Sequence, residues 1–175
     1  AGSTIYHTTE YRERRNHYAV YAVNAPINGF DTDRESFFGL RGTWDRPQVV
    51  VEATSRNSVA SGWAPIGSHH LSVTLAPGEQ RDLVFVLGYI ENDDDAKWES
   101  PGVLNTARAD ALLEQYSTSA AVDDAMAGLR TYWDELLGQM QISTGDPRID
   151  RLVNTWNPYQ CMVTFNMSRS ASFFE

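Results

Sequence analysis

Three groups of residues in this chain have types suited to chemistry. Residues 6–15 (YHTTEYRERR) and 30–39 (FDTDRESFFG) mix aromatics, arginines and carboxylates. Aromatic faces stack on sugar rings, and the planar guanidinium fork of Arg supplies bidentate polar contacts, so loops of this composition can border a sugar site. The plainer reading is Arg–carboxylate pairing on the face of a β-sandwich, and it explains the same residues. The third group, residues 166–174 (NMSRSASFF), leaves a helix C-terminus with small hydroxyl residues around Arg169. Arg169 either neutralises the negative end of that helix or reaches a cavity and hydrogen-bonds a sugar hydroxyl; the residues alone leave both open.

Other chemistries find no support. His69 and His70 are neighbours on an expected strand, so they point to opposite faces and cannot share a metal. His7 and His17 have no partner at ligand spacing. Residues 93–102 (DDDAKWESPG) are acidic but lack the glycine and terminal glutamate of a calcium loop. There is no phosphate-binding glycine loop and no nucleophile elbow. The sequon Asn166-Met167-Ser168 sits at an apolar helix end and reads as chance. Cys161, the single cysteine, reads as a small buried hydrophobe, and no disulfide can form within the chain.

Composition narrows the partners. The net charge is −9, with 23 acidic against 14 basic residues. The acids crowd into residues 91–150, a face that repels nucleic acid and anionic lipid. No apolar run approaches the roughly 20 residues that cross a bilayer, and no secretory signal is visible at the start. These features lead us to expect a cytoplasmic location.

The elements that must position these residues follow from periodicity. Residues 1–92 read as β structure: strands over 17–24, 48–54, 69–75 and 81–90, separated by turn signals at Asn28-Gly29 and Pro77-Gly78. The last two strands look like an antiparallel pair with a tight connection. Asp33 should cap a short helical turn. Residues 93–144 read as a polar loop and a helical linker. One helix is capped at Asn105 or Thr106, and a second carries Val122, Met126, Leu129, Trp133, Leu136, Leu137 and Met140 on one stripe. Residues 145–175 open with Asp146 as a cap and Pro147 in the first helical position, and Pro158 should kink or divide that third helix. The end of the chain, in the aromatic run Phe173-Phe174-Glu175, leads us to expect a longer parent protein, with further sandwich strands upstream. A 175-residue piece of this kind should be inactive and poorly soluble, because it exposes the Val122–Met140 stripe and the apolar side of residues 149–163.

Residues 6–39 (YHTTEYRERRNHYAVYAVNAPINGFDTDRESFFG) and 156–175 (WNPYQCMVTFNMSRSASFFE) resemble the glycoside phosphorylases of the cellobiose, cellodextrin and chitobiose phosphorylase group. The resemblance implies a mixed β and α multidomain arrangement. Residues 1–92 would end an antiparallel β-sandwich, 93–144 would form a loop and linker, and 145–175 would give the first helix of an (α/α)6 barrel. It implies cleavage of cellobiose, or another short β-glucoside, by inorganic phosphate with inversion, giving α-glucose 1-phosphate and glucose. No metal or organic cofactor is implied, and the relatives' homodimer is expected. The family's general acid, its phosphate-binding His and an RDxNQD-type segment would lie beyond position 175. Arg169 is the one site residue the resemblance carries over, to the subsite that holds the glucosyl unit. The two competing expectations are a non-catalytic carbohydrate-binding sandwich and an inverting hydrolase built on the same barrel.

Overall fold

The computed structural model describes residues 3–10 and 15–168. The chain divides into two compact units, Ala1–Val122 and Asp123–Glu175.

The first unit is built on a three-stranded antiparallel sheet in the order β1-β2-β5. β1 spans Thr4–Thr8 and β2 spans His17–Val23. β5 spans Phe85–Glu91. Strand alternation sorts β2 into two faces. Tyr18, Val20 and Ala22 are buried on one face, beneath helix α3 (Ala107–Gln115). Tyr18, Val20, Ile90 and Ala109 form the core, with Tyr6, Leu104, Leu112 and Leu113 packed around it. Full burial of each large side chain there is worth roughly 1.5–3 kcal/mol. The Tyr18 hydroxyl donates to the Asn105 carbonyl at 2.9 Å, so the polar tip of the ring is satisfied where the helix begins. The opposite face carries Tyr21, Phe85 and Leu87. Phe85 and Leu87 stay exposed there, and only Tyr21 of the three reaches a two-stranded sheet of β3 (Gly29–Asp33) and β4 (Pro65–His70). Tyr21 makes that contact, stacking on His69 with ring centroids 4.7 Å apart.

Several elements depart from the expected ones. Residues 48–54 were expected to form a strand; Gln48–Glu52 is the short helix α2. Pro47 starts it from an extended conformation, Ala53 ends it in a left-handed one, and Gln48 donates to Glu52 one turn on at 2.6 Å. Burial of Val49 and these local bonds outweigh the β preference of three successive valines. The strand expected over 69–75 lies earlier, at Pro65–His70, and the one expected over 81–90 begins at Phe85. These two strands are not paired with each other: β4 joins β3, and β5 joins β2. The Pro77-Gly78 turn does form, with Gly78 at φ 82° and Glu79 N–H donating to Ala76, but it connects two sheets. The acidic loop after residue 92 contains a hairpin, β6 (Trp98–Ser100) and β7 (Val103–Leu104), turning at Gly102.

The helical expectations hold more closely. Asp33 caps α1 (Arg34–Phe38) by accepting from Ser36 N–H at 2.7 Å. Asn105 accepts from Ala107 N–H at the start of α3, and Thr118 accepts from Ala121 N–H at the start of α4 (Ser119–Gly138). In the second unit Asp146 caps α5 (Pro147–Arg151), with Pro147 in its first turn. The third helix is interrupted just before Pro158: a wider π turn over Leu152–Trp156 separates α5 from α6 (Asn157–Ser168). Cys161 was expected to be buried and is exposed, because none of Asn157 to Met167 is buried within this unit. Met126, Leu129 and Met140 of the expected stripe are also exposed.

Candidate functional site

A cleft of about 710 Å³ opens on the first unit. One wall is α1 and the segment after it, with Arg34, Phe38 and Trp44. The other is the segment leading into β4, with Ser61, Trp63 and Ala64. Phe38 is buried and meets Trp44 edge-on, with centroids 4.7 Å apart. The Arg34 guanidinium lies 5.5 Å from the Trp44 ring centre and 5.9 Å from that of Phe38. Trp44 and Trp63 are 75% and 84% exposed, although Arg34 lies over one face of Trp44.

This arrangement combines flat apolar platforms with an exposed cation that lies over two of the rings. Among the described residues no carboxylate pairs with Arg34, so its N–H donors are held by ring contact and remain available to a ligand. Asp33 adds an acceptor. The hydroxyl and amide of Ser36 hold its carboxyl below the usual carboxylate range, so it is ionised at neutral pH. Stacking surfaces with donors and acceptors at their rim are what a saccharide needs: its C–H faces are apolar and its hydroxyls are both donors and acceptors.

The groups expected from sequence divide clearly. Residues 30–39 do border this cleft, through Asp33, Arg34 and Phe38. Tyr6 to Thr9 line a second cleft of about 560 Å³ together with Phe30 and Thr32. Tyr6 packs edge-on against Tyr18, at 5.8 Å, and Glu10 pairs with the buried ammonium of Lys97 at 2.7 Å. Tyr11 to Arg14 and the third group's Arg169 lie outside the described residues. His69 and His70 do face opposite ways, one against Tyr21 and the other 3.4 Å from Ser55 Oγ. Among the described residues no group of three or more His, Cys, Asp or Glu could hold a metal ion. Sequence reasoning missed Trp44 and Trp63. The signal was present: each tryptophan lies in a Gly/Pro-punctuated stretch, GTWDRP and SGWAP, where an apolar ring has no strand or helix to bury it.

A carbohydrate-handling sandwich is the class that this sheet and cleft suggest, and comparison with known proteins carries the assignment further. The family model described as the glycosyl hydrolase 94 supersandwich domain matches residues 1–119. The glycosyl hydrolase 94 superfamily catalytic domain matches residues 132–175. The chain belongs to the glycosyl hydrolase 94 family, and comprises supersandwich sequence followed by the start of the catalytic domain. It is 28% identical over 148 residues to an N,N'-diacetylchitobiose phosphorylase of Vibrio proteolyticus, covering 85% of this chain and 17% of that protein. It is 29% identical over 159 residues to the cyclic beta-(1,2)-glucan synthase NdvB of Rhizobium meliloti (strain 1021), covering 89% of this chain and 5% of that protein. A 3-O-beta-D-glucopyranosyl-beta-D-glucuronide phosphorylase of Paenibacillus borealis is 21% identical over 148 residues, covering 85% of this chain and 17% of the relative. The chain thus spans about a sixth of the length of its phosphorylase relatives.

Proposed function

We propose that the full-length protein is an inverting glycoside phosphorylase that converts cellobiose and inorganic phosphate to α-glucose 1-phosphate and glucose. The tandem match to supersandwich and catalytic-domain models, in a chain whose relatives include several phosphorylases, supports the phosphorylase part of this reading; cellobiose rests on the resemblance of residues 6–39 and 156–175. In such a reaction one carboxylic acid protonates the leaving oxygen, and phosphate attacks the anomeric carbon from the opposite face. Phosphate is already an anionic nucleophile, so no general base is needed to activate it, and no metal or organic cofactor enters. Residues 145–175 open an (α/α)6 barrel, residues 1–92 belong to the sandwich and 93–144 link the two. Arg169 lines the glucosyl subsite. The protein acts in the cytoplasm as a homodimer. Among the described residues no helix is long and apolar enough to cross a membrane.

The cleft between Trp44 and Trp63 borders the sugar site, with the indoles as platforms and Arg34 as the hydroxyl ligand. A second substrate, N,N'-diacetylchitobiose, is favoured by the phosphorylases of that name among the relatives. Assay of the full-length protein with each disaccharide, with and without phosphate, separates these readings. Cellobiose turnover that requires phosphate supports the first, and turnover of diacetylchitobiose alone supports the second. Hydrolysis that ignores phosphate excludes both.

A further inference from the structure

The segment that carries Trp63 is held in an unfavourable backbone conformation. Ala64, next to Trp63, has φ of 42°, in the left-handed region that L side chains other than Asn and Asp rarely adopt, and Asn57 takes the same region at 52°. Such strain persists only where surrounding bonds over-determine the conformation. The bonds of the stretch that leads to Trp63, residues 56–60, converge on β3. Asp31 is fully buried, and its carboxylate accepts from Arg56 N–H at 3.1 and 3.2 Å, Ser58 N–H at 3.1 Å and the Ser58 hydroxyl at 2.6 Å. Thr32 Oγ1 donates to Ser58 O at 3.0 Å and accepts from Ala60 N–H at 2.8 Å. Phe30 N–H donates to Asn57 Oδ1 at 3.1 Å, and Asp33 N–H to Ser58 Oγ at 3.3 Å. The register between β3 and β4 shifts at Asp31 to Asp33, which breaks the regular ladder beside the cleft.

No arginine or lysine pairs with Asp31 among the described residues. Its buried carboxylate is balanced by donors from one short segment, so that segment cannot move without stranding the acid. The same strand also sets the other wall, because Asp33 caps the helix that carries Arg34. Three successive residues thus bond the segment that leads into one wall, at Arg56, Ser58 and Ala60, and cap the helix that forms the other.

We propose that Asp31 and Thr32 are positioning residues of the carbohydrate cleft, holding residues 56–60 so that Trp63 stands opposite the Arg34–Trp44 platform. The proposal rests on the reading of this cleft as a sugar site. Neither residue touches the sugar; both act through the placement of Trp63.

The test uses the full-length protein and four single variants, Thr32→Val, Thr32→Ser, Asp31→Asn and Trp63→Ala, with the double variant T32V/W63A. Amide hydrogen exchange of residues 56–64 reads the positioning without any sugar. Loss of the Thr32 hydroxyl should speed exchange at Ala60 about tenfold, the effect of one hydrogen bond, while Thr32→Ser keeps the wild-type rate. Calorimetry with cellobiose and with N,N'-diacetylchitobiose reads the consequence. Thr32→Val and Asp31→Asn should each weaken binding about fivefold, and T32V/W63A should bind no worse than Trp63→Ala alone, because coupled residues are not additive. Should Asp31→Asn fail to fold, the isosteric Thr32→Val decides. Unchanged exchange at Ala60 overturns the positioning role. So does a Thr32→Val effect that persists in full in the Trp63→Ala background. Wild-type affinity in Trp63→Ala removes the sugar reading of the cleft and the proposal with it, and the exchange data then show whether the loop was held as described.

Discussion

The guanidinium of Arg34 lies 5.5 Å from the centre of the Trp44 ring, and no carboxylate among the described residues pairs with it. A cation held by aromatic faces keeps its donors for a ligand. In the full-length protein, Arg34→Ala and Trp44→Ala should each weaken disaccharide binding about tenfold, equivalent to roughly 1.4 kcal/mol. Arg34→Lys should not restore it, because an ammonium neither stacks nor forks as a guanidinium does. Calorimetric titration measures this, and wild-type affinity in both alanine variants would remove the cleft from the sugar site.

The imidazole of His69 lies parallel to the Tyr21 ring, within 7°, and both of its ring nitrogens are buried without a hydrogen-bond partner. Burial lowers its pKa from the ordinary 6.5, since the folded protein disfavours the charged ring. The unfolded chain therefore binds this proton first as pH falls. The His69 contribution makes stability drop as pH falls below about 6.5 and leaves it flat above that value. Chemical denaturation across this range should show the slope in wild type and a shallower one in His69→Phe. Equal slopes would show that the ring is not held neutral.

Gly29 lets the strained segment approach β3. A Cβ at this position would overlap Ser55 Oγ and stand 2.9 Å from Asn57 Oδ1. Gly29→Ala should destabilise the first unit by about 1–3 kcal/mol. Gly29→Ala combined with Ser55→Ala should recover only part of the loss, because Asn57 remains in the way. Melting temperatures give the comparison, and full recovery would mean that Ser55 alone sets the clearance.

Lys97 is 2% exposed and donates to Thr9 O at 2.6 Å and to Glu10 at 2.7 Å. Its ammonium ties the end of β1 to the turn before β6. Lys97→Met should cost about 1.5–3 kcal/mol, the range for hydrogen bonds to a charged group. Glu10→Gln should cost less, because Glu10 is exposed and the bond to Thr9 survives. Urea denaturation of the two variants tests the order, and the reverse order would contradict this account of the tie.

The second unit leaves Ile149 and Leu152 about half exposed, at 47% and 51%, and Trp156 at 55%. The first unit leaves Phe85 at 48% and Leu87 at 78% on its sheet face. Apolar area on this scale drives association. The 175-residue chain, prepared alone, should sediment as oligomers or aggregates. A monodisperse, cooperatively melting monomer would show that these faces need no cover.

Helix signals were the most legible part of this sequence. Asp33 and Asp146 cap the helices expected of them because capping needs only one side chain and the next amide turn, both local in sequence. Strand signals were less reliable. Val49, Val50 and Val51 favour a strand by type, but Pro47 and the Gln48–Glu52 bond close a helical turn instead. The pairing of β5 with β2 crosses more than sixty residues, and no turn residue can announce it. Half of the candidate site was visible in the mixed aromatic and charged run at residues 30–39. The other half, Trp63 and its support by Asp31, depends on contacts between segments over twenty residues apart.

Product analysis with the full-length protein and cellobiose, in the presence and absence of inorganic phosphate, decides between phosphorolysis and hydrolysis. A phosphorylase gives α-glucose 1-phosphate and glucose in equal amounts, formed only when phosphate is present. Release of glucose at the same rate without phosphate, with no sugar phosphate formed, would show that the enzyme is a hydrolase.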